Sequence, residues 1–354
     1  METYLDWFLL PLLAGLAFLL VLFAALVAWK NTLNKISQTN DKNSVSKQKV
    51  QSRLTPEERK KLSKGFERQG DFYFVVGHPV RYGHFFGREE IIQSLFNLWK
   101  RFPMQNAAIY GEKRIGKTSL LRYLKDVVDD PNDPRFREGQ KTDCLLDSEQ
   151  YCFIYVDFQD VEFQTQKGLL EYILRNMKLE KADKLDLSLS EENPLLDFGR
   201  IVSGHLVKPT VILMDEIGVI LECHPKEFSH NFWDGLRAIA TTKLEPQCLG
   251  FVLASHQYPN ELGGFICEGG SPFIDIFSDT IELKAFTKNQ ARELIASSPK
   301  SFSDNDVEFI LKQSELKPYL LQKLCQKCLK AESVNWQSEA EKEINKIKSG
   351  LNHV

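Results

Sequence analysis

The chain is short of basic charge. Its formal net charge is −3 and its pI about 6.2, so no global positive field argues for a nucleic-acid partner. It is also short of cysteine pattern: seven cysteines lie scattered along 354 residues. An odd, scattered set excludes a disulfide framework as the organising device and suits reduced thiols in a cytosolic compartment. Cys325 and Cys328 form a C-x-x-C with no second pair. At i, i+3 of a helical stretch they read as core thiols rather than as zinc ligands or a redox pair. Cys223, His224 and His230 have no evident fourth ligand and read as loop and surface residues. No internal repeat is visible.

One run lacks charge altogether. Residues 7–29, WFLLPLLAGLAFLLVLFAALVAW, carry no ionisable group and have tryptophan at both ends. As a helix this run would be about 35 Å long, enough to cross a bilayer with some tilt. The front carries Glu2 and Asp6 rather than Lys or Arg, and the apolar core is too long for a cleaved signal peptide. A buried core helix is disfavoured because every face is apolar. The run reads as a membrane span with aromatic ends at the two interfaces. Lys30, Lys35, Lys42, Lys47, Lys49 and Arg53 follow it, opposed only by Asp41. The positive-inside rule then places the C-terminal side in the cytoplasm and the short acidic N-terminus outside, in a single pass of the cell (inner) membrane. Residues 31–52 are otherwise rich in Asn, Ser, Gln and Thr and read as a tether. Its lysines either touch anionic lipid or are simply solvated. Thr55, Pro56, Glu57 and Glu58 open a short helix.

The stretch that organises the rest is residues 106–124, NAAIYGEKRIGKTSLLRYL. Residues 106–110 read as a buried strand, and Leu120, Leu121 and Leu124 recur at helical spacing. Between them Gly111, Glu112, Lys113, Arg114, Ile115, Gly116, Lys117 and Thr118 fit G-x-x-x-x-G-K-[ST], the phosphate-binding loop. Glycine lets the backbone approach a phosphate and turn successive N–H groups inward. The anion rests on the helix N-terminus, where unpaired N–H groups and the helix dipole favour it. Lys117 is expected at the β/γ oxygens, Thr118 on Mg²⁺, and Ser119 beside them in the ATP-binding set.

A second half of the site follows. Residues 211–216, VILMDE, deliver an acidic pair to the C-terminal edge of a buried strand, where open α/β sheets bind ligands. Asp215 would hold Mg²⁺ directly or through water, and Glu216 would orient and deprotonate an attacking water. Ser255 and His256 end the next strand. A polar group there either contacts the γ-phosphate or the water, or caps the strand. Arg237, on the helix between, is either a surface arginine or a charge offered to a neighbouring subunit's phosphate.

Strands are expected at residues 71–76, 151–158, 210–214, 249–254 and 280–283, and helices at 168–177 and 228–241. Residues 129–149 read as an insertion loop. From residue 288 onward only helices are expected, over 288–296, 303–313, 318–331 and 336–348. Strands alternating with helices imply an α/β fold with a mainly parallel sheet.

The order HFFGREE, GEKRIGKTS, YVDFQ, VILMDE, a helix with Leu236 and Arg237, FVLASH, then Ser271, Pro272 and Phe273, and LKAFTKNQARELI resembles the AAA-like ATPases of the STAND group and their archaeal relatives. The resemblance spans roughly residues 74–331. It implies adenine packed near Phe85, Phe86 and Gly87, and a helical lid over the nucleotide with Pro318 at its base. Pro318 and Tyr319 match the family's lid run, whereas Glu315 and Leu316 stand where the family often has glycines. STAND proteins usually carry a long C-terminal sensor array. Here the sequence runs on for one further helix to Val354, so a sensor or effector is expected in the span, the tether or a separate protein.

Four regions are therefore expected: an anchor (1–30), a basic tether with a short helix (31–68), a P-loop ATPase domain (69–286) and a helical lid (287–354). The expected function is a membrane-anchored, Mg·ATP-dependent switch that couples nucleotide state to self-association or partner engagement. The alternatives are a non-hydrolysing ATP-dependent scaffold and an ATP-dependent DNA-handling protein.

Overall fold

A computed structural model describes residues 74–137, 140, 150–243, 248–262, 273–331 and 335–351. The expected span at 7–29, the tether and the short helix after it lie outside the described residues. Among the described residues no helix is long and apolar enough to cross a membrane.

Five parallel strands form one sheet: β1 (Ala107–Tyr110), β2 (Cys152–Asp157), β3 (Thr210–Asp215), β4 (Leu249–Ser255) and β5 (Asp279–Glu282), in the order β2-β3-β4-β1-β5. β3 and β4 are buried at every position, as near-continuous apolar runs are when both faces of a parallel sheet are covered. Successive side chains alternate between two cores. Val211 and Leu213 face the helices α1 (Glu89–Trp99) and α2 (Lys117–Asp129). Ile212 and Met214 face α3 (Gln166–Asn176), α4 (Pro194–His205), α5 (Ile217–Cys223) and α6 (His230–Ala238).

The strand order matters for the site. β4 lies between β1 and β3, with Tyr110 opposite Ser255 and Met214 opposite Leu253. The glycine loop after β1 and the acidic pair after β3 thus emerge on one sheet edge, one strand apart.

After β5 the chain forms α7 (Lys288–Ala296), α8 (Asp304–Ser314), α9 (Pro318–Lys330) and α10 (Trp336–Leu351). They share a third core of Leu294, Ile310, Leu321, Leu324, Ala340 and Ile344. Cys325 is fully buried in it, and burial pushes its thiol well above the usual range. Among the described residues no group of three or more His, Cys, Asp or Glu converges as a metal cluster.

Three expectations differ from what is observed. Residues 74–76 form no strand: the Val75 N–H donates to the Gln322 side chain at 3.0 Å, and Phe74 O accepts from Gln326 at 3.3 Å. Backbone groups satisfied by helix side chains need no strand partner. The helix expected over 228–241 begins at His230 and passes into a π turn, Ile239–Lys243. The helices α4 and α5 were not anticipated; α4 opens on Pro194 at its first turn, a position proline favours.

Candidate functional site

The loop after β1 is shaped by two glycines. Gly111 has φ +150, and a Cβ there would meet Leu283 O at 2.6 Å, so the passing backbone excludes any side chain. Gly116 has φ +105 and starts α2. Glycine adopts that left-handed geometry without steric penalty. The loop turns onto the α2 N-terminus and aims unpaired N–H groups along the dipole, an anion cradle.

Lys117 is buried and threads back across this loop. Its Nζ donates to Gly111 O at 2.8 Å and Glu112 O at 3.0 Å. Burial lowers its pKa, and the nearby Glu216 and Asp215 oppose that shift. An ammonium resting on neutral carbonyls, with carboxylates close by, can exchange those acceptors for a stronger anionic one.

Asp215 is buried at the end of β3. It accepts hydrogen bonds from the Tyr155 hydroxyl at 2.8 Å and from the Glu216 N–H at 3.1 Å, and it is bonded to the Thr118 side chain. Its pKa is raised, first by burial and then by Glu216 and Asp157; the bonds to Tyr155 and Thr118 work the other way. Thr118 and Asp215, expected as metal ligands, are thus adjacent. Their hydroxyl and carboxylate oxygens are hard donors that suit Mg²⁺, which is usually held by one or two carboxylates plus substrate phosphates. The crowding of carboxylates is a field that a cation would relieve. Glu216 has φ +52, a conformation non-glycine residues rarely adopt, and it faces the cavity described next.

A cavity of about 290 Å³ opens above the loop. One wall is mostly polar: Arg114, Gly116, Lys117, Thr118 and Ser119, with Ile115 between them, and Glu216. The opposite wall is mostly apolar and comes from distant segments: Phe85 and Phe86 before α1, Phe286 and Leu294 around α7, and Pro318 and Tyr319 opening α9. Residues 75 and 77–80 contribute a strap, tied at one end to Gln322 and at the other by the Val80 N–H, which donates to Ser119 Oγ at 3.1 Å.

Several expected site residues stand behind these walls. Gly87 turns the chain into α1 at φ +67, backed by Gln290. Gly111 is the hinge of the loop. Lys113 is exposed outside the cavity lining. Glu112 points to α9, where its carboxylate accepts from Lys317 at 2.8 Å. Ser255 is buried, and its hydroxyl donates to Gln257 O at 2.5 Å, a local turn bond. Arg237 lies on α6, against the other core and outside the cavity; its Nε is buried with no hydrogen-bond partner among the described residues.

Sequence reasoning gave no site role to Arg88, Phe286, Tyr319 or Gln322, although the first three lie in the motifs that carry the resemblance. Arg88 is buried at φ +73; it donates to Lys284 O at 2.6 Å and stacks over the Phe286 ring at 4.7 Å. Burial lowers its pKa to about 10. The guanidinium of Arg114 lies over the Tyr319 ring at 4.4 Å. The only signals were local: Arg88 follows Gly87, and Tyr319 follows Pro318.

No family model matches the chain, and no curated protein matches it either. Solved structures do. The Walker-type ATPase PABY2304 of Pyrococcus abyssi is 17% identical, with 80% of this chain and 77% of that one covered at a TM-score of 0.54. The Aeropyrum pernix ORC2 protein, solved as ADPNP-ADP complexes, is 14% identical, with 78% of this chain and 71% of that one covered at a TM-score of 0.52. At such identities the shared property is the fold. The described residues adopt the parallel α/β fold of P-loop ATPases, with a helical group after the last strand.

Proposed function

We propose that the chain binds and hydrolyses ATP with Mg²⁺ and works as a nucleotide-gated switch of the AAA/STAND type. One observation carries the reading: Lys117, Thr118 and Glu216 meet at the polar end of a single cavity, with Asp215 directly behind. The apolar end is closed by the C-terminal helices. Triphosphate would take the cradle at Gly116 and displace the carbonyls from Lys117. Thr118 and Asp215 would hold Mg²⁺, which supplies charge neutralisation at the β/γ oxygens. Glu216 would accept the proton of the attacking water. Adenine would lie against Phe85, Phe86 and Pro318, and residues 287–354 would act as the lid. A fold shared with a protein solved as ADPNP-ADP complexes is consistent with this reading.

The switch element of the proposal is that ATP draws the lid group and the loop together, favouring self-association or a separate sensor or effector. Arg237, half-buried on α6, would then serve a neighbour's phosphate. The uncharged residues 7–29 and the lysines after them support anchoring in the cell inner membrane, with the ATPase domain cytoplasmic. The STAND assignment rests on the order of sequence motifs.

Glu216→Gln is the decisive variant. It is expected to retain ATP and lose roughly 10²- to 10⁴-fold in turnover, the usual range for a general base. On size-exclusion chromatography with Mg·ATP it should accumulate as an assembly or partner complex. Undiminished phosphate release would remove Glu216 from its role. An unchanged elution volume with and without Mg·ATP would reject the assembly model. Salt-sensitive DNA binding by the same protein would favour the DNA-handling alternative instead.

A further inference from the structure

We infer that Tyr155 is a positioning residue for the Mg²⁺ site: its hydroxyl holds the Asp215 carboxylate in the orientation that lets Asp215 and Thr118 take the ion together. This rests on the reading that the cavity binds Mg·ATP.

The argument begins with the sheet. β2 is the edge strand beside β3, with Tyr155 opposite Leu213 and Asp157 opposite Asp215. The Tyr155 side chain stands two residues before the strand end and reaches forward to Asp215 Oδ2 at 2.8 Å. The other oxygen, Oδ1, accepts the Glu216 N–H at 3.1 Å. A carboxylate gripped at both oxygens cannot rotate about its last bond without losing a partner in a buried place, where an unmade hydrogen bond costs about 1–3 kcal/mol.

Tyr155 is itself held. Its backbone oxygen accepts from the Tyr172 hydroxyl at 3.2 Å, and the Arg122 guanidinium lies over its ring at 4.8 Å. Arg122 is four residues after Thr118 on α2, so both lie on one face of that helix. Arg122 also stands 4.0 Å from Asp157. The layer Thr118, Arg122, Tyr155, Asp157 and Asp215 therefore joins α2, β2 and β3 at one end of the sheet. No sequence motif around Tyr155 marks it, because its role depends on β2 lying next to β3. Outer partners that orient metal ligands typically change metal affinity by roughly 10- to 100-fold when removed.

The test uses the full chain and Mn²⁺ as the probe, titrated in the presence of ADP and followed by the free-ion electron paramagnetic resonance signal. Nucleotide affinity in EDTA is measured in parallel. Tyr155→Phe removes one oxygen and keeps the ring. Its Mn²⁺ dissociation constant is expected to rise roughly 10- to 100-fold, with ADP affinity in EDTA unchanged. Tyr151→Phe, which loses a hydroxyl that donates to Trp99 O at 3.3 Å at the far end of the strand, should leave the Mn²⁺ curve in place. If Tyr155→Phe does not fold, Tyr155→Leu, also apolar and without a hydroxyl, gives the same readout. Equal Mn²⁺ curves for the unaltered chain and the Tyr155 variant overturn the inference alone. Equal losses of Mn²⁺ and of EDTA-state ADP binding also overturn it, as a general structural effect. If the unaltered chain binds no nucleotide at any metal concentration, the ATP reading falls and the inference with it.

Discussion

The two ends of the cavity are built in opposite ways. The polar end is nearly contiguous in sequence: residues 114–119 supply the cradle, its lysine and its hydroxyl, and Glu216 adds one carboxylate. Lys117 is tied inside the loop, on Gly111 and Glu112, and Thr118 to Asp215 at the end of β3. The apolar end is assembled from segments far apart in the chain, with Phe85, Phe286 and Leu294 on separate local elements and Pro318 and Gln322 both on α9. Chemistry that needs charge at fixed spacing is encoded locally. A surface that only needs apolar area and shape can be gathered from anywhere the fold allows. The phosphate end should therefore fail sharply under single substitutions, and the base end should fail by degrees.

Lys117→Ala tests the sharp end. Hydrogen bonds to charged groups are worth about 1.5–3 kcal/mol, so ATP affinity should fall roughly 10- to 150-fold, read by titration calorimetry. A loss no greater than that of a base-end variant would erase the contrast.

Gln322→Leu tests the graded end. It frees the Val75 N–H that now donates to Gln322 at 3.0 Å and unpins the strap from α9. A single net hydrogen bond of about 0.5–1.5 kcal/mol predicts a loss of roughly two- to tenfold in ATP affinity, with the phosphate contacts intact. Unchanged affinity would show that the strap is held by packing alone.

The Lys317–Glu112 contact, 2.8 Å, spans the two ends but is solvent-accessible. Screened pairs of this kind are worth little, so Lys317→Met should change ATP affinity by a few-fold at most. A larger effect would mean that Lys317 reaches the nucleotide.

The smallest effect concerns the helical group by itself. Glu343 on α10 accepts from Lys323 at 2.7 Å and Lys327 at 2.5 Å, and these bonds hold its carboxyl below the usual range. A carboxyl lowered in the folded state stabilises above its ordinary pKa of about 4.3 and loses that contribution as pH falls through the lowered value. Thermal melting of Glu343→Gln should therefore differ slightly from the unaltered chain near neutral pH and converge with it in acid. A difference that persists in acid would assign the effect to packing.

Much of the sheet was legible because buried parallel strands are short apolar runs: residues 210–214 and 249–254 were read nearly to their ends. The four C-terminal helices were read from periodicity, with Lys288–Ala296 matching to the residue. Residues 74–76 misled because a run of aromatic and β-branched residues resembles a strand. The backbone of 74–75 is instead satisfied by Gln322 and Gln326, more than 240 residues away.

The sequence by itself determined the phosphate-side chemistry. A glycine loop, a lysine, a hydroxyl and an acidic strand end are local patterns, read from spacing and charge. Only the tertiary structure decided the rest. It placed β4 between β1 and β3, set Tyr155 on Asp215, stacked Arg88 on Phe286 and closed the cavity with Pro318 and Gln322. Those contacts join segments with no sequence relation, and strand order and helix packing alone bring them within hydrogen-bonding or van der Waals reach.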